Sequence, residues 1–284
     1  MLFSRLAIIL DRIHALANVL KKRLSLIFQN QFFVTSFFRI FAEMKKAIVI
    51  GASSGMGYEV AKLLLKDGWQ VGLAARRIAM LEQLKEEFPQ QVVISGIDVT
   101  EGDAPTKLNE LIEKLGGVEL YFHASGIGKQ NPELDETIEM NTVRTNALGF
   151  TQMIDTIYNY MKEHGGGHIA VISSIAGTKG LGPAPSYSAT KAFQNTYIQA
   201  LEQLANGHRY NIRFTDIRPG FVDTPLLSGG SYPMLMNQQY VARKIVKAIY
   251  SKKHVKVIDW RYAILTKCWR LIPNFIWRHI KLYR

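Results

Sequence analysis

Cysteine is almost missing: of 284 residues only Cys268 is one, so no disulfide can form within the chain and nothing in it requires an oxidising compartment. A lone cysteine reads as a small apolar filler rather than a reactive thiol. Cysteine and histidine nowhere cluster with metal-ligand spacing, so no metal is expected. No run is both long enough and free enough of charge to cross a bilayer, and residues 1–43 hold no small-residue cleavage site. A basic excess is missing from the centre: residues 44–237 carry 17 basic and 20 acidic side chains, whereas residues 238–284 carry 12 and one. Most of the net +12 therefore lies at the end of the chain. A core that binds nucleic acid needs a basic stripe on its folded surface, so no nucleic-acid partner is expected.

What is present is a globular composition, 48% hydrophobic and 20% charged, without internal repeats or low-complexity linkers. From Lys46 on, short β-rich runs alternate with helix-period segments such as EVAKLLLKDG and MLEQLKEEF. The runs are KAIVI (46–50), WQVGLA (69–74), VVISGI (92–97), VELYFHA (118–124), HIAVIS (168–173), IRFTDI (212–217) and a weaker HVKVI (254–258). Apolar strands separated by helices predict a parallel sheet covered on both faces, a doubly wound α/β fold of about seven strands. Residues 44–258 read as one domain, flanked by an N-terminal extension (1–43) and a basic, aromatic, amphipathic tail (259–284).

The first strand runs into GASSGMG, which places Gly51, Ser53, Ser54, Gly55, Met56 and Gly57 between that strand and a helix. Glycines there permit a tight turn and close approach to a pyrophosphate, and the helix N-terminus offers oriented N–H donors. A dinucleotide site of the Rossmann kind follows, with the spacing G-x-x-x-G-x-G rather than G-x-G-x-x-G. The second strand ends in LAARR, with Ala75 where an NAD-selecting acid would sit and Arg76 and Arg77 behind it. Guanidinium groups without a carboxylate favour a 2′-phosphate, hence NADP (NADPH) rather than NAD, with Arg76 as the candidate contact.

Further on, Tyr187 and Lys191 stand four apart in PSYSATKAFQNTYIQALEQL and share one face if it is a helix. A lysine charge about 4 Å from the phenol would contribute up to ~4 kcal/mol at an effective dielectric near 20, enough to lower the tyrosine pKa into a useful range. The Ser173-Ser174 pair ends a strand, and Asn146 lies in TNALGF. In this combination the chain resembles the short-chain dehydrogenase/reductase family over roughly residues 44–258, with a Tyr-x-x-x-Lys active site. The resemblance implies Tyr187 as general acid/base, Lys191 as its pKa-lowering partner and holder of the nicotinamide ribose, and Ser174, thirteen residues before Tyr187, on the substrate carbonyl. It implies Asn146 fixing a kinked helix and a water that connects Lys191 to solvent. Asp98 and Val99 match its adenine-binding segment, Gly126 its ribose approach, and Pro219, Val222 and Thr224 its nicotinamide segment. One departure is His123-Ala124-Ser125-Gly126, where the family often carries Asn-Asn-Ala-Gly; His123 reads as a structural histidine satisfied by backbone groups.

After Thr224, a Gly229-Gly230 hinge and Leu226, Leu227, Met234, Leu235 and Met236 read as a mobile lid with an apolar wall, the competing reading being ordinary packing. The expected substrate is an apolar small-molecule carbonyl or alcohol. In the tail, Trp260, Trp269 and Trp277 stand among basic residues until Pro273 interrupts the helical pattern, which fits either an anionic membrane surface or a neighbouring subunit. Residues 1–43 read most economically as lying upstream of a native start at Met44, a membrane-associating extension or transit-like segment being the alternatives. The function expected is an NADP(H)-dependent oxidoreductase, cytoplasmic or peripheral at the membrane, forming a homodimer or homotetramer as the resemblance implies. The alternative is an NADP(H)-binding scaffold or redox sensor with little turnover.

Overall fold

Valine, isoleucine, alanine and phenylalanine dominate the short apolar runs, and in the computed structural model, which describes residues 44–227 and 232–282, each run is a strand of one parallel sheet. The strands are β1 (Lys46–Ile50), β2 (Gln70–Ala75), β3 (Val92–Gly96), β4 (Leu120–His123), β5 (Gly167–Ile172), β6 (Ile212–Pro219) and β7 (Val255–Ile258). Across the sheet they lie in the order β3-β2-β1-β4-β5-β6-β7, every neighbouring pair parallel. The doubly wound fold expected from the alternation is the one formed. The chain moves outward from β1 in one direction and returns through β4 in the other, so a crevice opens at the strand ends between β1 and β4, where such folds bind ligands.

The helices are α1 (Gly55–Lys66), α2 (Ala79–Glu87), α3 (Ala104–Leu115), α4 (Glu136–Val143), α5 (Phe150–Glu163), α6 (Pro185–Gly207), α7 (Gln238–Tyr250), α8 (Trp260–Leu271) and α9 (Asn274–Trp277), with a π-helical turn (Arg144–Gly149) joining α4 to α5. They cover both faces of the sheet, which is why the strands show no polar alternation. Ala47 and Val49 of β1 join a core with Val60, Ala61, Leu64 and Leu65 of α1 and Val241, Ala242 and Ile245 of α7. Ile48 and Ile50 face the other way, toward Leu108 and Leu111 of α3, Ile154 and Ile157 of α5, and Ile198 of α6. Full burial of each such side chain contributes about 1.5–3 kcal/mol, so the two faces together hold the strand ends in register.

The C-terminal extension is folded back on its own chain. Pro273 separates α8 from α9, as its missing N–H requires. The Tyr262 side chain is buried; its hydroxyl donates to the Pro233 carbonyl at 2.9 Å and accepts from the Phe221 N–H at 3.2 Å. Trp277 is also buried, and its indole N–H donates to the Gly180 carbonyl at 2.7 Å. Lys179 donates to the Ile272 carbonyl at 3.0 Å and to Asn274 Oδ1 at 2.7 Å. The segment read from sequence as a tail thus spans the loop after β5 and the segment after β6. Its inner side chains at 262 and 277 are covered by the chain itself, while Trp260, Leu271 and Phe275 stay exposed on its outer side. Residues 1–43 and the Gly229-Gly230 hinge lie outside the described residues.

Truncating Tyr262 to alanine is expected to lower stability by about 3–5 kcal/mol, since a buried aromatic and its polar contacts are lost together. Urea unfolding checks this: the midpoint should fall with an unchanged slope, whereas a midpoint within experimental scatter of the unsubstituted protein would show that docking of α8 contributes little.

Candidate active site

The turn from β1 into α1 is shaped for close approach. Gly51 has φ +85°, and a Cβ there would sit 2.7 Å from the Ser125 nitrogen, so the loop after β4 can press against it only because it is glycine. A Cβ on Gly57 would lie 2.2 Å from the Gly51 carbonyl oxygen. Ser54 precedes α1 in extended conformation, yet its hydroxyl does not cap the helix; it accepts from Arg77 Nη2 at 2.9 Å. Arg77 also reaches Ser53 Oγ, at 3.3 Å. The first-turn N–H groups of α1 therefore keep their capacity for an anion, and a guanidinium lies beside them. Met56 is half-buried against the core below. Loop, helix end and arginine fit the pyrophosphate and phosphate groups of a dinucleotide.

The two arginines after β2 diverge. Arg76, singled out from the sequence, is 68% exposed and stands 3.8 Å from Asp98 across the strand ends, while the neighbouring Arg77 turns back onto the glycine loop. Burial pushes the Asp98 carboxyl up, but hydrogen bonds from the Thr100 N–H and hydroxyl, with the Arg76 charge, outweigh it and hold the group below the ordinary range. Val99 is buried, and its carbonyl accepts from Gln152 Nε2 at 2.5 Å. These residues line the outer, β2–β3 side of the crevice.

On the other side, β5 ends at Ile172 and the chain passes through Ser173 and Ser174 toward α6. The two serines turn opposite ways: Ser173 donates to the buried Asp216 carboxylate, whereas the Ser174 hydroxyl reaches the Tyr187 phenol and accepts from the Ala176 N–H at 3.0 Å. Tyr187 and Lys191 share one face of α6, with the lysine Nζ 5.8 Å from the tyrosine ring centroid. Lys191 donates to the Ile172 carbonyl at 3.1 Å and to Gln194 Oε1 at 2.9 Å. Asn146, in the π-helical turn, grips Ile127 at both ends, accepting from its N–H at 2.9 Å and donating to its carbonyl at 2.7 Å. A Cβ on Gly126 would fall 3.5 Å from Lys191 Nζ and 3.3 Å from Asn146 Oδ1, so the segment after β4 closes over this cluster.

Burial pushes the Tyr187 phenol up, and the Ser174 hydroxyl recovers part of the change. The Lys191 ammonium lies over the ring, 5.8 Å from its centroid, and burial rather than its charge sets the net direction. The same burial lowers Lys191 to about 8, against the nearby Asp216 charge, which raises it. His123 is taken down to about 3 by burial and by the Lys191 charge, a backbone hydrogen bond with Ser125 opposing them, and is neutral; its Nδ1 also meets the Tyr121 hydroxyl at 3.0 Å.

Past β6, Pro219 is buried at the strand end and the Val222 side chain enters the core, bridged to Met236. Thr224 approaches the glycine loop: a Cβ on Gly55 would be 3.7 Å from its methyl group. Of the apolar wall expected from sequence, Met236 is a core residue, Met234 packs partly against the core, and Leu226 and Leu235 remain exposed. Three further residues shape the site beyond those assigned to it from the sequence. Arg77 and Gln194 are described above, and a Cβ on Gly128 would stand 2.5 Å from the Tyr187 ring. Only Arg77 had a sequence signal, its place in the Arg-Arg pair.

The profile of the short chain dehydrogenase family matches residues 45–231. A protein described as an uncharacterized oxidoreductase of Myxococcus xanthus is 31% identical over 243 residues, covering 82% of this chain and 95% of that one. One from Mycobacterium tuberculosis is 28% identical over 240 residues, covering 81% and 94%. A short-chain dehydrogenase from Streptomyces avermitilis has the same fold, with a TM-score of 0.71 at 21% identity over 80% of this chain and 92% of that one. ElxO, solved with NADP bound, gives 0.68 at 22% over 78% and 99%. With most of its length inside the family profile and the fold to match, this chain belongs to the short-chain dehydrogenase family and is an NAD(P)-dependent oxidoreductase.

Proposed function

We propose that the chain is an NADP(H)-dependent oxidoreductase that interconverts an apolar carbonyl compound and its alcohol, with Tyr187 as general acid/base. The observation that carries this reading is the convergence of Ser174, Tyr187 and Lys191 at one end of the sheet, opposite a glycine loop with an arginine laid across it. A dinucleotide held by the glycine loop and Lys191 would supply the hydride that the carbonyl carbon accepts. Ser174 hydrogen-bonds the carbonyl oxygen, where negative charge develops. The Tyr187 hydroxyl gives its proton to that oxygen, completing the alcohol, and Lys191 stabilises the phenolate left behind. A phenol raised by burial holds its proton until that transfer, which suits the reductive direction. Lys191 has three N–H donors, of which the protein takes two, and the third serves the nicotinamide ribose. Gly51, Ser53, Ser54, Gly55, Met56 and Gly57 cradle the pyrophosphate. Asp98, Val99 and Gly126 border the adenosine, and Pro219, Val222 and Thr224 the nicotinamide.

Preference for NADP over NAD rests on Ala75 in place of an acid and on Arg77, with the exposed Arg76 free to swing toward the same phosphate. The NADP bound to ElxO, a protein of the same fold, supports it further. Self-association as a homodimer or homotetramer is supported by the exposed Phe193 and Leu204, eleven residues apart and so on one face of α6. Contact with an anionic membrane surface is supported by the outer side of residues 259–282. There Trp260 (70% exposed), Leu271 (82%) and Phe275 (70%) stand among Lys267, Arg270, Arg278 and Lys281. Among the described residues no helix is long and apolar enough to cross a membrane.

Tyr187→Phe should lower turnover of NADPH with an apolar ketone or aldehyde by roughly 10²–10⁴-fold while NADPH affinity stays within about threefold. Unchanged turnover would contradict Tyr187 as general acid/base; NADPH binding without turnover by the unsubstituted chain would favour the scaffold or sensor reading. Arg77→Ala should weaken NADPH binding about tenfold or more and leave NADH binding nearly unchanged, measured by titration of nicotinamide fluorescence. Sedimentation with vesicles containing phosphatidylserine should pull down the full chain at low salt and release it at high salt. No sedimentation at low salt would remove the membrane reading.

A further inference from the structure

Lys191 is 4% exposed, so its ammonium has exchanged water for protein acceptors. One is the Ile172 carbonyl at the end of β5, 3.1 Å away, and the other is Gln194 Oε1 at 2.9 Å. Gln194 stands three residues further along α6 and is itself fully buried. Its Nε2 donates to the main-chain carbonyl of Asn146 at 2.8 Å. The two partners fix the amide's orientation, since an ammonium demands an acceptor and a carbonyl demands a donor. Asn146 offers that carbonyl from the π-helical turn, and its side chain is occupied with Ile127 and Thr190. The family resemblance assigns a water the task of connecting Lys191 onward from Asn146; in this chain an amide side chain stands between them.

We infer that Gln194 is a positioning residue of the active site, a built-in replacement for a bridging water that fixes the Lys191 ammonium against the Asn146 carbonyl. The inference rests on Lys191 serving the bound dinucleotide. A side chain tethered to α6 cannot drift as water does, so the lysine's free N–H keeps one direction. The charged and titratable groups facing Lys191 are few. Asp216 on β6 attracts it from a carboxylate shared with Arg218 and Ser173; His123 on β4 is neutral, and the Tyr187 phenol on α6 is protonated. Gln194 thus supplies one of two direct acceptors for a charge with little solvent, and its loss cannot be made good by a neighbouring carboxylate.

A positioning role and a packing role predict opposite orders for two substitutions. Gln194→Leu keeps the volume but removes the acceptor and strands the Asn146 carbonyl, whereas Gln194→Ala opens a polar space in which a water can bridge the same two groups. Lys191 titration is followed by NMR on protein carrying ¹³Cε-labelled lysine, without cofactor, and NADPH affinity is measured on the same samples. Gln194→Leu should lower the Lys191 midpoint by about one unit or more and weaken NADPH binding about tenfold. Gln194→Ala should stay within about half a unit and threefold, because bridging water is nearly as good as a direct hydrogen bond. Thermal stability should rank the other way, leucine above alanine. If Gln194→Leu fails to fold, Gln194→Met, unbranched and of similar length, takes its place with the same expectation. Equal effects of the two substitutions on Lys191, or a smaller effect of leucine, would overturn the inference. Lys191 midpoints in the expected order, with no NADPH binding by the unsubstituted chain, would uphold Gln194's hold on Lys191 and refute the cofactor reading instead.

Discussion

One buried ammonium organises the site. Removing a charge from water costs several kcal/mol unless it is paired and hydrogen-bonded, so Lys191 can occupy its place only if α6, the end of β5 and the π-helical turn keep their relative positions. The Ile172 carbonyl ties it to the sheet, and Gln194 ties it to Asn146. The charge of Asp216 reaches it from β6. Tyr187 lies one helical turn earlier, and Ser174 follows β5 by two residues, so both inherit that arrangement. The site is a consequence of satisfying one cation.

The sheet makes the rest of the crevice in a comparable way. Every strand is parallel, so the loops after β1, β4, β5 and β6 leave the same edge, and the reversal of direction between β1 and β4 opens a space there. Contact across that space depends on small residues. Gly51 lets the loop after β4 approach, Gly126 lets it reach Lys191, and Gly55 meets Thr224 from beyond β6. The C-terminal extension then spans the segments after β5 and β6, through Tyr262 at the Phe221 N–H and Trp277 at the Gly180 carbonyl.

Much of this was legible because it is local or periodic. Strands buried on both faces must be continuous apolar runs, so all seven, even the short β7, can be found from composition alone. The glycine loop and the Tyr187–Lys191 pair need only their spacing. What was not legible depends on where a side chain turns after the backbone is set. Arg76 and Arg77 are adjacent and chemically identical in sequence, yet one faces Asp98 and the other the glycine loop. Gln194 is one polar residue in a long helix until Asn146, 48 positions earlier, is brought beside it. The direction of the Tyr187 shift was misjudged because a distance of about 4 Å was assumed in place of burial, and burial dominates. Trp277, read with the tail as facing a membrane or a neighbouring subunit, and Tyr262 beside it find their cover at Gly180 and at Gly220, Phe221 and Pro233, far away in the chain.

Hydrogen–deuterium exchange with and without cofactor tests the central claim most directly, because it needs no substrate. If the crevice is a single dinucleotide site, saturating NADPH will slow exchange together in the glycine loop around residues 51–58, at the start of α6 around 187–194, and near Thr224, with NADH doing less at equal concentration. Protection absent from the α6 segment, or identical with both cofactors, would contradict an NADPH site assembled around Lys191.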